Sequence, residues 1–145
     1  MGSFVGTWQF WAGLSACFAA LTAIFAKVGV ENVPSDFATF VRTIVILASL
    51  AVILGVTGQW TDPRKVPVRT YTFLILSGLA TGASWLCYFR ALKIGDAGRV
   101  APIDKLSVVL VAIFGVMFLG ERLSGANWIG VALIALGAIL VAARF

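Results

Sequence analysis

The chain has 145 residues, of which 61% are hydrophobic and 12% charged, with a formal net charge of +5 and a mean hydropathy of +1.02. A soluble domain of this size needs a polar surface that this composition cannot supply, so the chain reads as a single integral membrane domain over residues 1–145. The basic residues stand singly at the ends of apolar runs, which is the pattern of membrane anchoring and not of a nucleic-acid patch, and the lack of any His excludes a His-based zinc or haem site.

No positive n-region precedes the first apolar run, and no polar domain follows it, so the N-terminus does not read as a secretory signal. Gly2 does not make a myristoylation site, because Gly6 stands where Ser or Thr is expected. The first apolar run covers residues 8–26. Trp8 and Trp11 suit an aromatic belt at one membrane interface, and Lys27 suits the other. The interior of this run carries no Asp or Glu, so a proton-coupled carboxylate is not expected there. Cys17 and Cys87 both fall in apolar runs and are expected to pack as small hydrophobes, with no disulfide framework.

Pro34 ends the next connection, and Ser35 or Asp36 can cap the helix that follows. That second run covers residues 37–57 and holds Arg42 about two turns in. Arg42 either snorkels back to the interface or binds an anionic group. The loop with Pro63, Arg64, Lys65, Pro67 and Arg69 reads as a solvated basic segment at the lipid headgroups. The third run, residues 70–90, carries the small residues Ser77, Gly78, Thr81, Gly82 and Ser84, a spacing that lets helix backbones approach closely. Trp85 and Tyr88 are three apart and share a face, either lining a pathway or sitting in the aromatic belt.

A turn with Gly95 and Gly98 leads to the fourth run, residues 101–120, with Pro102 expected in its first turn. Asp104 and Lys105 lie just inside this run, where charges cost on the order of 2.5–3.5 kcal/mol each. Either a ligand path offsets that cost, or both groups lie near the interface. Adjacent helical residues diverge by about 100°, so the two are not expected to pair with each other. Asp104 should turn to Arg90 or Arg42 instead. On a continuous helix Asp104, Ser107, Val108, Val111, Gly115 and Phe118 form one stripe, the candidate inward face. The fifth run, residues 126–143, presents Ala126, Gly130, Ala135, Ala138 and Ala142 as a surface for tight helix contact.

Five spans are therefore predicted, at about 8–26, 37–57, 70–90, 101–120 and 126–143, forming an all-α bundle. Alternation of spans places Lys27, Arg42, Arg90, Asp104 and Lys105 toward one membrane face. Arg42, Arg90, Trp85, Tyr88, Asp104, Lys105 and Ser107 are the candidate substrate-binding residues. A basic vestibule with one carboxylate suits a zwitterionic or anionic metabolite; the alternative is a charge network that only pins helix ends. No Ser/His, paired-Asp or metal constellation lies within the spans, so neither an enzyme nor a cofactor is expected.

The order of Tyr88-Phe89-Arg90-Ala91-Leu92, Pro102, Leu119-Gly120-Glu121, Trp128-Ile129-Gly130 and Gly137 closely resembles the second part of an EamA-type domain of the drug/metabolite transporter superfamily. The earlier spans, with Lys27 and Arg42, fit the same pattern, so the resemblance covers nearly the whole chain. It implies a five-helix unit that moves small organic molecules across a prokaryotic plasma membrane. Most members join two such units as an inverted repeat, and this chain resembles one unit alone. The resemblance therefore implies a homodimer, with an antiparallel arrangement as one form, and assembly through helix five. Glu121 matches the family pattern at a helix end and is expected to be structural, paired with Arg122 or a neighbouring cation. A non-transporting scaffold or accessory subunit is the alternative reading.

Overall fold

The computed structural model describes residues 6–143; Gly2, weighed above, and Arg144 lie outside the described residues. Every regular element among those residues is helical: α1 (Trp8–Gly29), α2 (Ser35–Thr57), a 3₁₀ turn (Pro63–Lys65), α3 (Val68–Ile94), α4 (Ala97–Asp104), α5 (Ser107–Leu119) and α6 (Gly125–Ala142). Five stretches are long and apolar enough to cross a bilayer, with α4 and α5 together making the fourth, Ala97–Leu119. The number of spans predicted from the sequence is correct. The helix ends differ from the predicted bounds by at most four residues, the largest shifts being the end of the third span, at Ile94 and not residue 90, and the start of the fourth, at Ala97 and not residue 101.

The chain divides into two compact units. The first is Ala26–Lys93. Pro34, at φ −58°, is the N-cap of α2, and neither Ser35 nor Asp36 caps it with a side chain. The Ser35 hydroxyl donates to the Asp36 carboxylate, 3.2 Å. Asp36 occupies the first turn, where the helix dipole favours a carboxylate. Down α2, Thr39 and Thr43 donate to the carbonyls one turn back, of Ser35 and Thr39, at 2.9 and 2.8 Å, so their hydroxyls are satisfied within the apolar span. Gly58 ends the helix in the left-handed region (φ 65°), where a side chain would be strained.

Three cationic side chains fasten the ends of these helices. Lys27 Nζ donates to the Leu92 carbonyl, 2.8 Å, in the last turn of α3, where the ladder leaves carbonyls without a donor. Lys93 Nζ donates to the Val33 carbonyl, 2.6 Å. Arg90 grips Asp36. Leu92 and Val30 are the fully buried side chains of this unit, with Phe89 and Ala26 also buried. Lys27 is thus a helix-end cap in addition to marking the end of its span. The small-residue face of α3 does not produce a close contact within the chain: a Cβ placed on Gly78 or Gly82 would meet nothing within 4 Å.

The second unit comprises the chain up to Phe25 and from Ile94 onward. Here α6 packs against α4 and against α5. Ala138 is buried and Val131, Ala135 and Ala142 half-buried, an i, i+4, i+7, i+11 series on one face. Ala126, Gly130 and Gly137 fall elsewhere on the helix, and a Cβ on either glycine would meet nothing within 4 Å. The surface expected on the fifth span is therefore split, one part used inside the chain and one part open.

Ser124 caps α6 by accepting from the Asn127 N–H, 3.3 Å. Gly120, at φ 69°, stops α5, and the Gly115 carbonyl accepts from the N–H groups of both Gly120 and Glu121. That turn brings the Glu121 carboxylate back over buried Gly115, so close that a Cβ there would lie 2.6 Å from Oε2. Glu121 is held by this return of the chain and not by the expected pairing with Arg122. Cys17 and Cys87 are free and exposed, not packed as expected, because both lie on outward faces of spanning helices.

Candidate functional site

Charge inside the spans is handled at two places, one in each unit. In α2, Arg42 comes seven residues after Ser35, about 10 Å along the helix. Its guanidinium carbon lies 4.0 Å from the centroid of the Trp85 ring and 5.4 Å from that of Phe89. Trp85 and Phe89 are four apart on α3, so both rings present to the same side. An arginine stacked on an aromatic face gains a cation–π attraction and keeps its in-plane N–H donors free. Tyr88, half-buried, is close enough to Arg42 to interact with it electrostatically. Arg42 forms no ion pair with any described residue.

The acid closest to Arg42 in sequence, Asp36, is already engaged. Arg90 Nε donates to Asp36 Oδ1 at 3.1 Å and Nη2 to Oδ2 at 2.8 Å, a two-pronged contact matched to the planar fork. Arg90 therefore pairs with Asp36, not with Asp104 as expected. Trp85 lies nine residues before the end of α3, beneath Arg42.

In the second unit the fourth span is not continuous. Pro102 lies inside α4, the sixth of its eight residues and not in the first turn of a longer helix. Having no N–H, it cannot donate to the carbonyl of Gly98, and its ring crowds that carbonyl. The helix ends two residues later. The Leu106 N–H bonds to Ile103 O, Val108 to Lys105 O and Val109 to Leu106 O, each at 3.0 Å, a tighter spacing than the α-helical one. Because α4 begins at Ala97, Asp104 lies about 10 Å into a 23-residue span and the break falls about a third of the way along it.

Lys105 Nζ contacts Asp104 Oδ2 at 3.2 Å. The expectation that these neighbours cannot pair assumed a continuous helix. The turn at Lys105 and the long lysine stem bring the two heads together. Asp104 is half-buried, while Lys105 and Ser107 are exposed. The break also interrupts the predicted stripe. Asp104 belongs to α4 and the remainder to α5, where Val111 is 67% and Phe118 74% exposed and only Gly115 is buried.

Of the seven predicted site residues, Arg42, Trp85 and Tyr88 come together, Asp104 meets Lys105, and Arg90 and Ser107 join neither group. Phe89 and Asp36 were missed. Phe89 shares the Trp85 face at i+4, and Asp36 is the acid whose place in chain order, at the start of span two, puts it at the same membrane face as the end of span three. Among the described residues no three His, Cys, Asp or Glu side chains group to hold a metal ion.

The EamA-like transporter family matches over residues 6–143. The chain belongs to that family. It is 68% identical over 136 residues to a Sinorhizobium protein described as an uncharacterized transporter in the cobO 3'region, with 94% of this chain and 96% of that protein covered. It is 28% identical over 134 residues to the uncharacterized transporter YwfM of Bacillus subtilis, covering 90% of this chain and 43% of YwfM. It is 27% identical over 128 residues to protein MJ1333.1 of Methanocaldococcus jannaschii, covering 88% of this chain and 90% of that protein. No solved structure matches. Family membership and five apolar spans make this a multi-pass membrane protein.

Proposed function

We propose that this EamA-family chain is a secondary transporter of small organic metabolites in a prokaryotic plasma membrane, working as a dimer of five-helix units. The observation that carries the reading is the broken fourth span, with Asp104 and Lys105 at a turn about 10 Å inside it. Broken helices at membrane depth leave backbone groups for ligands or water, and in secondary transporters they mark substrate and coupling-ion sites. A scaffold has no need of a charged break inside a span. Arg42 with Trp85 and Tyr88, and Asp104 with Lys105 and Ser107, are the residues proposed to meet substrate; Arg90, locked to Asp36, is proposed to position the end of α3. Proteoliposomes loaded with a mixture of amino acids, organic acids and sugars test this, with release read by mass spectrometry. Selective release is expected, and a profile identical to that of protein-free vesicles removes the transporter reading.

The dimer rests on the match to part of YwfM and on α6. The chain matches YwfM over 43% of that protein, as one of two similar halves would. Ala126, Gly130 and Gly137 leave α6 open to a close helix contact. A Cβ at Gly130 meets nothing within 4 Å, so Gly130→Leu should leave the protomer folded and shift size-exclusion elution toward the monomer. Unchanged elution removes α6 from the interface.

Protomers of opposite orientation are the arrangement proposed. Arg64, Lys65, Arg69 and Arg122 fall on one membrane side by alternation, and Lys27, Arg90, Lys93, Arg99 and Arg144 on the other, with Arg42 and Lys105 deeper on that second side, a weak bias toward it. Side-selective labelling of one Cys added after Phe145, with Cys17 and Cys87 replaced, should reach both sides. Labelling from one side alone excludes the antiparallel pair.

A further inference from the structure

Three of the four cations around the ends of α1 and α3 donate to an oxygen of the chain. Lys27 caps Leu92 O, Lys93 caps Val33 O, and Arg90 holds both oxygens of Asp36. Arg42 is deeper than any of them in its span, yet it alone of these four is held by rings: Trp85 at 4.0 Å and Phe89 at 5.4 Å. The guanidinium carbon lies over the Trp85 ring, while its N–H donors find no carboxylate among the described residues. Arg42 is only half-buried, so those donors remain open to a ligand.

A cation at this depth is unfavourable without a counter-charge. The acid closest to Arg42 in sequence, Asp36, is held by Arg90 in a two-pronged contact. The missing group is therefore an anion from outside the chain. A guanidinium with free in-plane donors matches a planar or tetrahedral oxyanion, which two of those donors can grip in parallel. We propose that Arg42, set on Trp85, is the receptor for a carboxylate or phosphate group, and that the substrates are small organic anions. The second clause rests on the transporter reading; the first does not.

Trp85 itself supplies the probe, because an oxyanion drawn to Arg42 changes the charge over the indole. The full chain, with Trp8, Trp11, Trp60 and Trp128 replaced by Phe, is titrated with sodium succinate, inorganic phosphate and tetraethylammonium chloride in maltoside micelles, which hold no phosphate. Saturable quenching by an oxyanion and none by the cation is expected. Arg42→Gln should weaken that binding by at least about tenfold, the scale of a charge-assisted hydrogen bond. Arg42→Lys keeps the charge in the span without the fork and should bind with intermediate affinity, while Lys65→Gln in the exposed loop should bind normally. Absence of a saturable oxyanion response, or equal affinity in Arg42→Lys and the parent, overturns the proposal. The titration is repeated in phosphatidylcholine nanodiscs. Binding retained there places a soluble anion on Arg42; binding seen in micelles and lost in nanodiscs gives the site to a lipid phosphate and overturns the substrate assignment. In proteoliposomes, flux of a neutral or cationic metabolite undiminished by Arg42→Gln overturns this inference and leaves transport standing. Oxyanion binding by a protein that moves nothing overturns transport alone.

Discussion

Arg42 and the Asp104–Lys105 pair present the same physical problem, each seven or eight residues into its own 23-residue span, and the protein answers it in two ways. Arg42 is lodged in an unbroken helix, held by aromatic rings, and left with its positive charge unopposed. Asp104 and Lys105 sit where the helix is interrupted and oppose each other across 3.2 Å, so that region carries no net charge. The difference is between a fixed charge that waits for a partner and a neutral pair that can be opened. In the first region recognition is built in and the backbone is rigid. In the second, recognition needs the pair to part, and the tightened turn beside it gives the backbone room to follow.

The largest effect should come from removing the charges. Arg42→Ala and Asp104→Asn should each lower flux by about tenfold or more, a transition from a charge-assisted contact to none, while expression and helix content stay near those of the parent. Flux is measured in proteoliposomes and folding by circular dichroism. If both variants transport fully, the two regions differ only in how they hold helices together.

The next effect separates the two members of the pair. Asp104 has a short side chain that cannot leave its depth, whereas Lys105 has a stem long enough to carry its ammonium toward water. Lys105→Gln therefore strands a carboxylate inside span four, at a cost on the order of 2.5–3.5 kcal/mol, or the carboxylate takes up a proton. Asp104→Asn strands only a lysine that can snorkel. The expected order of melting temperatures is Lys105→Gln lowest, then Asp104→Asn, with the double variant recovering much of the loss because no charge remains. A Lys105→Gln variant as stable as the parent would show that water already reaches the break.

How much of this was legible follows the same division. The five spans, the family pattern and Arg42 as an in-span charge were readable because each depends on residues near one another in sequence. The pairing of the charges was not. Reading Asp104 and Lys105 as diverging required an unbroken helix, and the cue against it was Pro102, which falls in a first turn only if the helix starts at residue 101. Moving the start to Ala97 puts the same proline in the interior and makes the break expected. The partner of Arg90 was hidden for a different reason. Asp36 suits a cap so well that its second option, a cation arriving from a helix distant in sequence, leaves no local signal.

The smallest effect concerns that Asp36–Arg90 contact, which sharpens the comparison from the side of Arg42. Its geometry is good, with both oxygens engaged at 3.1 and 2.8 Å, but the two side chains are 53% and 64% exposed, so water and salt screen it. Arg90→Ala should therefore lower the melting temperature only slightly, and the difference should shrink further as salt is raised. The more telling consequence is electrostatic. Freed from Arg90, Asp36 lies on the same helix as Arg42, six residues nearer its start, and is the nearest acid in sequence able to compete for it. If Arg42 is a waiting receptor, Arg90→Ala should weaken oxyanion binding modestly, and Asp36→Asn in the same background should restore it. Restoration by the second change is the test, since a loosened helix end would not be repaired by deleting the other half of its ion pair.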